Sequence, residues 1–140
     1  MKARPADQLL LIEVASLDAT IRSADHQRRN PAQTARVNEL LAQRQSESAV
    51  LTGLLGERDD ARAELGRLES DVALVDARAA RDTERLASTS NVKEAQGLEH
   101  ELESLAKRKS DLEDAELVIM ERLETADAAV AAQEAVIAEI

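Results

Sequence analysis

Aromatic side chains and cysteine are both missing: 140 residues contain no Phe, Tyr, Trp or Cys, yet 44% of them are apolar. Without cysteine there is no disulfide and no thiolate zinc site within these residues. Without aromatics the chain lacks the large-area anchors on which a globular core usually depends, and it has no ring on which a nucleobase could stack. Glycine and proline are scarce, four and two residues, too few for a turn-rich β fold. No apolar run approaches the roughly 20 residues of a membrane span. The cluster at 9–12 is too short for the apolar region of a signal peptide and soon meets Glu13. Positive charge is outweighed, with 18 basic against 28 acidic side chains and a net charge of −10. The imbalance grows along the chain, from five basic and four acidic residues in 1–30 to five and thirteen in 88–140. Such a chain, without a basic stripe, is a poor electrostatic match for nucleic acid or anionic lipid. No membrane association and a cytoplasmic location are expected.

What remains is Ala, Leu, Glu, Arg and Gln, all good helix formers. Apolar residues three and four apart suffice to zip two helices together without aromatic bulk. The first such stripe is Leu10, Val14, Leu17, Ile21 and Ala24, which predicts a helix over about 5–29 with Pro5 in its first turn. Asn30-Pro31-Ala32-Gln33 then reads as a restart, with Asn30 able to cap, Pro31 suited to the first helical position and Gln33 able to reach back. The second stripe runs Val37, Leu40, Arg44, Leu51, Leu54, Arg58, Ala61, Leu65, Leu68, Val72, Val75, Ala79, Asp82 and Leu86. It leaves one full heptad between Arg44 and Leu51, filled by Glu47 or Ser48, and predicts a helix over about 31–87. Gly53, Gly56 and Gly66 inside it allow either local flexibility or close packing. Ser88-Thr89-Ser90-Asn91 is a cluster of small polar residues, placing a turn at about 88–91. Asn91 with Glu94 starts a third helix over about 92–140. Its stripe is Ala95, Leu98, Leu102, Leu105, Lys109, Leu112, Glu116, Ile119, Leu123, Ala126, Val130, Gln133, Ile137 and Ile140.

The two long stripes share one register. In an antiparallel hairpin, facing positions have a constant sum of residue numbers. Val75 opposite Leu102, Val72 opposite Leu105, Leu65 opposite Leu112, Leu54 opposite Leu123, Leu40 opposite Ile137 and Val37 opposite Ile140 all obey one sum, whose midpoint falls between Ser88 and Thr89. Composition had placed the turn there independently. The expected fold is all-α: a long antiparallel two-helix coiled-coil hairpin with an additional N-terminal helix, forming one elongated domain over 1–140. Flanking charges offer weaker support through Arg67 with Asp111, Glu69 with Lys109, Asp71 with Lys107 and Arg62 with Glu116. Glu64 with Asp114 and Asp76 with Glu103 are like-charged exceptions. Arg44, Arg58, Lys109, Glu116 and Gln133 place polar groups in the seam; they either snorkel to water or, for Arg58 and Glu116, form a register-fixing pair. Ile140 ends in seam phase without a helix-stop signal, so the third helix reads as unfinished.

The order of features resembles a family. A short helix and an Asn-Pro step lead into a hairpin whose tip reads Ser90-Asn91-Val92-Lys93-Glu94-Ala95-Gln96-Gly97-Leu98. Further on comes Ser110-Asp111-Leu112-Glu113-Asp114-Ala115-Glu116-Leu117. Together with the opening Met1-Lys2-Ala3 and Asp7-Gln8-Leu9-Leu10, this is similar to bacterial proteins in which a coiled-coil hairpin precedes a four-cysteine zinc ribbon, particularly the actinobacterial members. The resemblance implies a ribbon after residue 140 and zinc only within it; no zinc ligand carries over to this chain. It also implies an adaptor or chaperone for flagellar or transcription components, or nucleic-acid contact made through the ribbon.

Within the chain itself no catalytic, cofactor or metal site is expected. His26 and His100 lie on different helices and are out of register. Paired carboxylates such as Asp59 and Asp60 fit a solvated face, because a two-helix rod has no cleft to tune them. Two surfaces stand out. Arg78, Arg81, Arg85 and Lys93 cluster at the tip, where a partner could dock, although Asp82, Glu84 and Glu94 nearly offset them. The stripe of Leu10, Val14, Leu17 and Ile21 has no partner within the hairpin, which predicts at least a weak homodimer. The expected function is therefore a non-enzymatic protein-binding module, with a ribbon-dependent nucleic-acid-associated protein as the alternative.

Overall fold

The computed structural model of the chain describes residues 3–31 and 33–140. Met1 and Lys2 of the opening motif and Ala32 of the Asn-Pro restart lie outside the described residues. Three helices occur in order: α1 (Pro5–Arg29), α2 (Gln33–Ser88) and α3 (Val92–Ala138). No strand occurs among the described residues. The chain divides into two compact units, one of residues 1–46 with Ile140 and the other of residues 47–139.

In the first unit, α1 starts at Pro5, whose fixed φ suits a first helical turn. Its last turn carries His26, Arg28 and Arg29, complementing the negative end of the helix dipole. Asp25 accepts from both arginines, at 2.9 and 3.0 Å. Asn30 closes α1, its backbone N–H donating to the His26 carbonyl at 2.9 Å. α2 begins at Gln33, with Thr34 N–H donating to the Pro31 carbonyl. Proline has no N–H and disfavours helical geometry in the residue before it, so the chain breaks at Asn30.

In the second unit, α2 from Glu47 onward and α3 form an antiparallel hairpin. At 1.5 Å rise per residue the α2 arm of this unit is about 60 Å long. The reversal occupies residues 89–91. Asn91 caps α3, its Oδ1 accepting from the N–H groups of Lys93 and Glu94 at 3.0 and 3.3 Å. Every seam position predicted between Leu51 and Leu86, and between Ala95 and Gln133, is at least partly buried. Ala61, Leu98, Leu112, Ile119 and Val130 are the most enclosed apolar residues, and no large side chain is completely buried. The heptad between Arg44 and Leu51 is filled by Glu47, which is partly buried whereas Ser48 is exposed. Gln133 donates to both the backbone oxygen and the carboxylate of Glu47, at 3.0 and 2.7 Å. The glycines are not there for close packing: a Cβ built on Gly53, Gly56 or Gly66 would meet nothing within 4 Å.

Candidate functional site

The tip is the most densely hydrogen-bonded part of the hairpin. Glu94 sits in the first turn of α3 and receives two donors from the other side of the turn. Thr89 Oγ1 donates to one carboxylate oxygen at 2.9 Å, and Arg85 Nη2 donates to the other at 3.1 Å. The Thr89 hydroxyl and then the Arg85 guanidinium hold the Glu94 carboxyl below its ordinary value. Two turns further from the tip, Arg78 pairs with Glu101. Two of the four predicted tip cations are therefore committed to the hairpin itself. Among the described residues, Arg81 and Lys93 form no ion pair, so the charge the tip offers outward rests on those two.

The cross-helix ion pairs differ from those expected. Lys109 Nζ pairs with Asp76 at 2.8 Å and, along its own helix, with Glu113 at 3.8 Å. Arg122 pairs with Glu64 at 2.8 Å, and Arg62 with Asp127 at 3.3 Å. None of the four predicted pairs forms. Arg58 pairs with its neighbour Asp59 at 3.3 Å, and not with Glu116. The reason is directional. Side chains on a helix lean toward its N-terminus. On α2 that direction points away from the tip and on α3 toward it, so Lys109, Arg122 and Arg62 each meet a partner beyond the residue directly opposite. The same lean relieves both like-charged juxtapositions, since Asp76 takes Lys109 and Glu64 takes Arg122. The hydrogen bond that Lys109 donates to Asp76 raises the Lys109 pKa above its ordinary value, with Glu113 adding a smaller attraction.

Two further observations concern the seam and the N-terminal helix. Asp82, placed in the seam by its phase, is only 6% exposed, and its Oδ2 has no hydrogen-bond partner. Leu10, Val14, Leu17 and Ile21 on α1 are all exposed, as are Leu9, Leu11 and Ile12 beside them. His100 is exposed, with its Nδ1 4.0 Å from the Glu103 carboxylate. No group of three or more His, Cys, Asp or Glu that could hold a metal ion occurs among the described residues. No helix there is long and apolar enough to cross a membrane. The sequence reading missed Leu117, Val118 and Met120, which are exposed on α3. The signal was present in the unbroken apolar run at 117–120, where only Ile119 is in seam phase.

A narrow helical hairpin with an ion-paired tip and apolar side chains left on its outer faces defines a class of elongated helical scaffold. The chain belongs to the CT398-like coiled coil hairpin domain family, whose model matches residues 14–140. It is 34% identical over 125 residues to "Uncharacterized protein Rv2229c" of Mycobacterium tuberculosis (strain ATCC 25618 / H37Rv), covering 89% of this chain and 51% of that protein. "Uncharacterized protein MT2288" of Mycobacterium tuberculosis (strain CDC 1551 / Oshkosh) matches to the same extent. The chain thus spans about half the length of the curated relatives it matches. A solved structure from Mycobacterium smegmatis superposes with a TM-score of 0.84 at 30% identity, covering 99% of this chain and 57% of that one.

Proposed function

We propose that the chain is a non-enzymatic interaction module, a cytoplasmic adaptor or chaperone that presents protein-binding surfaces on a rigid hairpin. The observation that carries this reading is the division of apolar residues within 47–139. The seam is covered along both helices, while Leu74, Leu117, Val118 and Met120 face outward. Those outward groups contribute nothing to closing the hairpin, and Leu117 and Met120 among them share one open groove; exposed apolar clusters of this kind mark interaction sites. Arg81 and Lys93 at the tip and the α1 stripe of Leu10, Val14, Leu17 and Ile21 offer two more surfaces, the second suited to self-association.

The competing reading places nucleic-acid contact, and zinc, in a four-cysteine ribbon outside these residues, as the family resemblance implies. The net charge of −10 opposes such contact by the hairpin itself. Two measurements separate the readings. Co-purification from cells should recover a reproducible protein partner that is lost on Arg81→Glu with Lys93→Glu or on Leu10→Glu with Leu17→Glu. Gel shifts with duplex DNA and single-stranded RNA should show no binding by this chain. Tight binding that weakens steeply with salt would overturn the adaptor reading.

A further inference from the structure

We infer that the groove on the 47–139 hairpin lined by Leu65, Leu117, Met120 and Leu123 docks a basic amphipathic helix of a protein partner. This inference deepens the interaction-module reading and rests on it. The groove is an open cavity of about 570 Å³. Its floor is apolar, with Leu117 61% and Met120 51% exposed. Ile119 and Leu123 already serve the seam from the same stretch of α3, so Leu117 and Met120 are not needed to hold the hairpin together. Methionine beside leucine is an adaptable surface for receiving another helix, and helix-in-groove docking uses such a floor.

The rim identifies the occupant. Glu121, Glu124 and Asp127 line one edge of the groove. Asp127 accepts from Arg62 at 3.3 Å, whereas Glu121 and Glu124 form no ion pair among the described residues. The surrounding band, residues 54–67 and 113–127, holds ten carboxylates and four arginines. A partner helix that brings Lys or Arg beside its apolar stripe would be attracted to this rim; an acidic helix or a polyanion would be repelled. The same charge argues against a second copy in the groove, because a two-fold interface would set the acidic band against itself. The α1 helix of another copy is also poorly suited, since Arg28 and Arg29 are already paired with Asp25.

The test uses the full chain and three labelled peptides of about 20 residues. One has a Leu stripe at i, i+3, i+4 and i+7 flanked by Lys and Arg. The second keeps the stripe with Glu in place of the cations. The third has the composition of the first, scrambled to abolish the stripe. Fluorescence anisotropy should show saturable one-to-one binding of the first, weakened roughly tenfold between about 50 and 300 mM NaCl. The acidic peptide should not bind, and the scrambled one should bind roughly tenfold more weakly. Leu117→Ser with Met120→Ser should weaken the first peptide by roughly tenfold with unchanged helical circular dichroism, and Val92→Ser, also on an exposed site, should leave it unaltered. Equal binding of the scrambled peptide, indifference to the double substitution, or no binding of the basic peptide would overturn the assignment. So would a concentration-dependent dimer that the double substitution abolishes, which would give the groove to a second copy. Any of these would leave the adaptor reading to be judged by the tip and α1 substitutions.

Discussion

Asp82 is the residue where the hairpin should be easiest to improve. It occupies a seam position between Ala79 and Leu86, is 6% exposed, and leaves Oδ2 without a donor. An unpartnered buried polar group costs about 1–3 kcal/mol relative to one that is satisfied or absent. Burying a leucine side chain in its place contributes about 1.5–3 kcal/mol. The larger side chain must fit between existing neighbours, and overpacking takes back about 1–3 kcal/mol. The balance predicts that Asp82→Leu stabilises the hairpin by about 2 kcal/mol. With a urea slope of about 2 kcal/mol per molar, the midpoint should rise by about 1 M. The transition is followed by circular dichroism at 222 nm, and the slope should not change. Asp82→Asn is the companion variant: it removes the charge but keeps a buried amide that still needs partners, so it should gain less than leucine. Arg78, Arg81 and Arg85 lie within four residues of Asp82 on the same helix, and they supply the alternative. If their field sustains the carboxylate, both substitutions will destabilise. A fall in the midpoint for both variants at constant slope would refute the reasoning.

Four further outcomes follow from the same geometry. Gly53→Ala, Gly56→Ala and Gly66→Ala meet no neighbouring atom, so each should stabilise α2 by about 0.5–1 kcal/mol, read as additive shifts in the urea midpoint. The lowered Glu94 pKa means that its contribution to tip stability is complete above the unfolded-state value and is lost as pH falls through the lower folded-state value. Thr89→Val should move the Glu94 titration, followed by NMR, back up toward the ordinary carboxylate range. Lys109 behaves oppositely: its contribution is complete below the unfolded-state value and is lost as pH rises through the raised folded-state value, and Asp76→Asn should bring that value down. Finally, the absence of native cysteine allows clean double labelling at Val75→Cys and Leu102→Cys. Packed helices lie about 8–10 Å apart, so spin labels there should report a short intramolecular distance, and a separation of many tens of ångströms would contradict the hairpin.

The seam was readable in the sequence because two independent constraints act on it. A coiled-coil seam repeats every 3.5 residues, and a chain that doubles back must pair positions about a fixed midpoint. Val75, Leu102, Leu65 and Leu112 obey both, and the small polar residues at 88–91 mark the same midpoint; the structure buries all four of those seam side chains at least partly. The ion pairs of Lys109, Arg122 and Arg62 were not readable by that rule, because it locates Cα atoms and long side chains end elsewhere. Lys109 finds Asp76 and Arg122 finds Glu64 because both helices tilt their side chains toward their own N-termini, and a register rule corrected for that lean would have placed them. The orphaned oxygen of Asp82 had no sequence signature beyond its phase, since satisfaction depends on which donors the neighbouring helix brings within reach. The acidic groove was overlooked because attention to the seam treats every other position as solvent-facing filler. Leu117 and Met120 show why that is unsafe. A rod needs apolar residues only along one line, so apolar residues off that line are free of any folding duty, and their position beside Glu121 and Glu124 is the clearest indication of what the outer face of the hairpin is for.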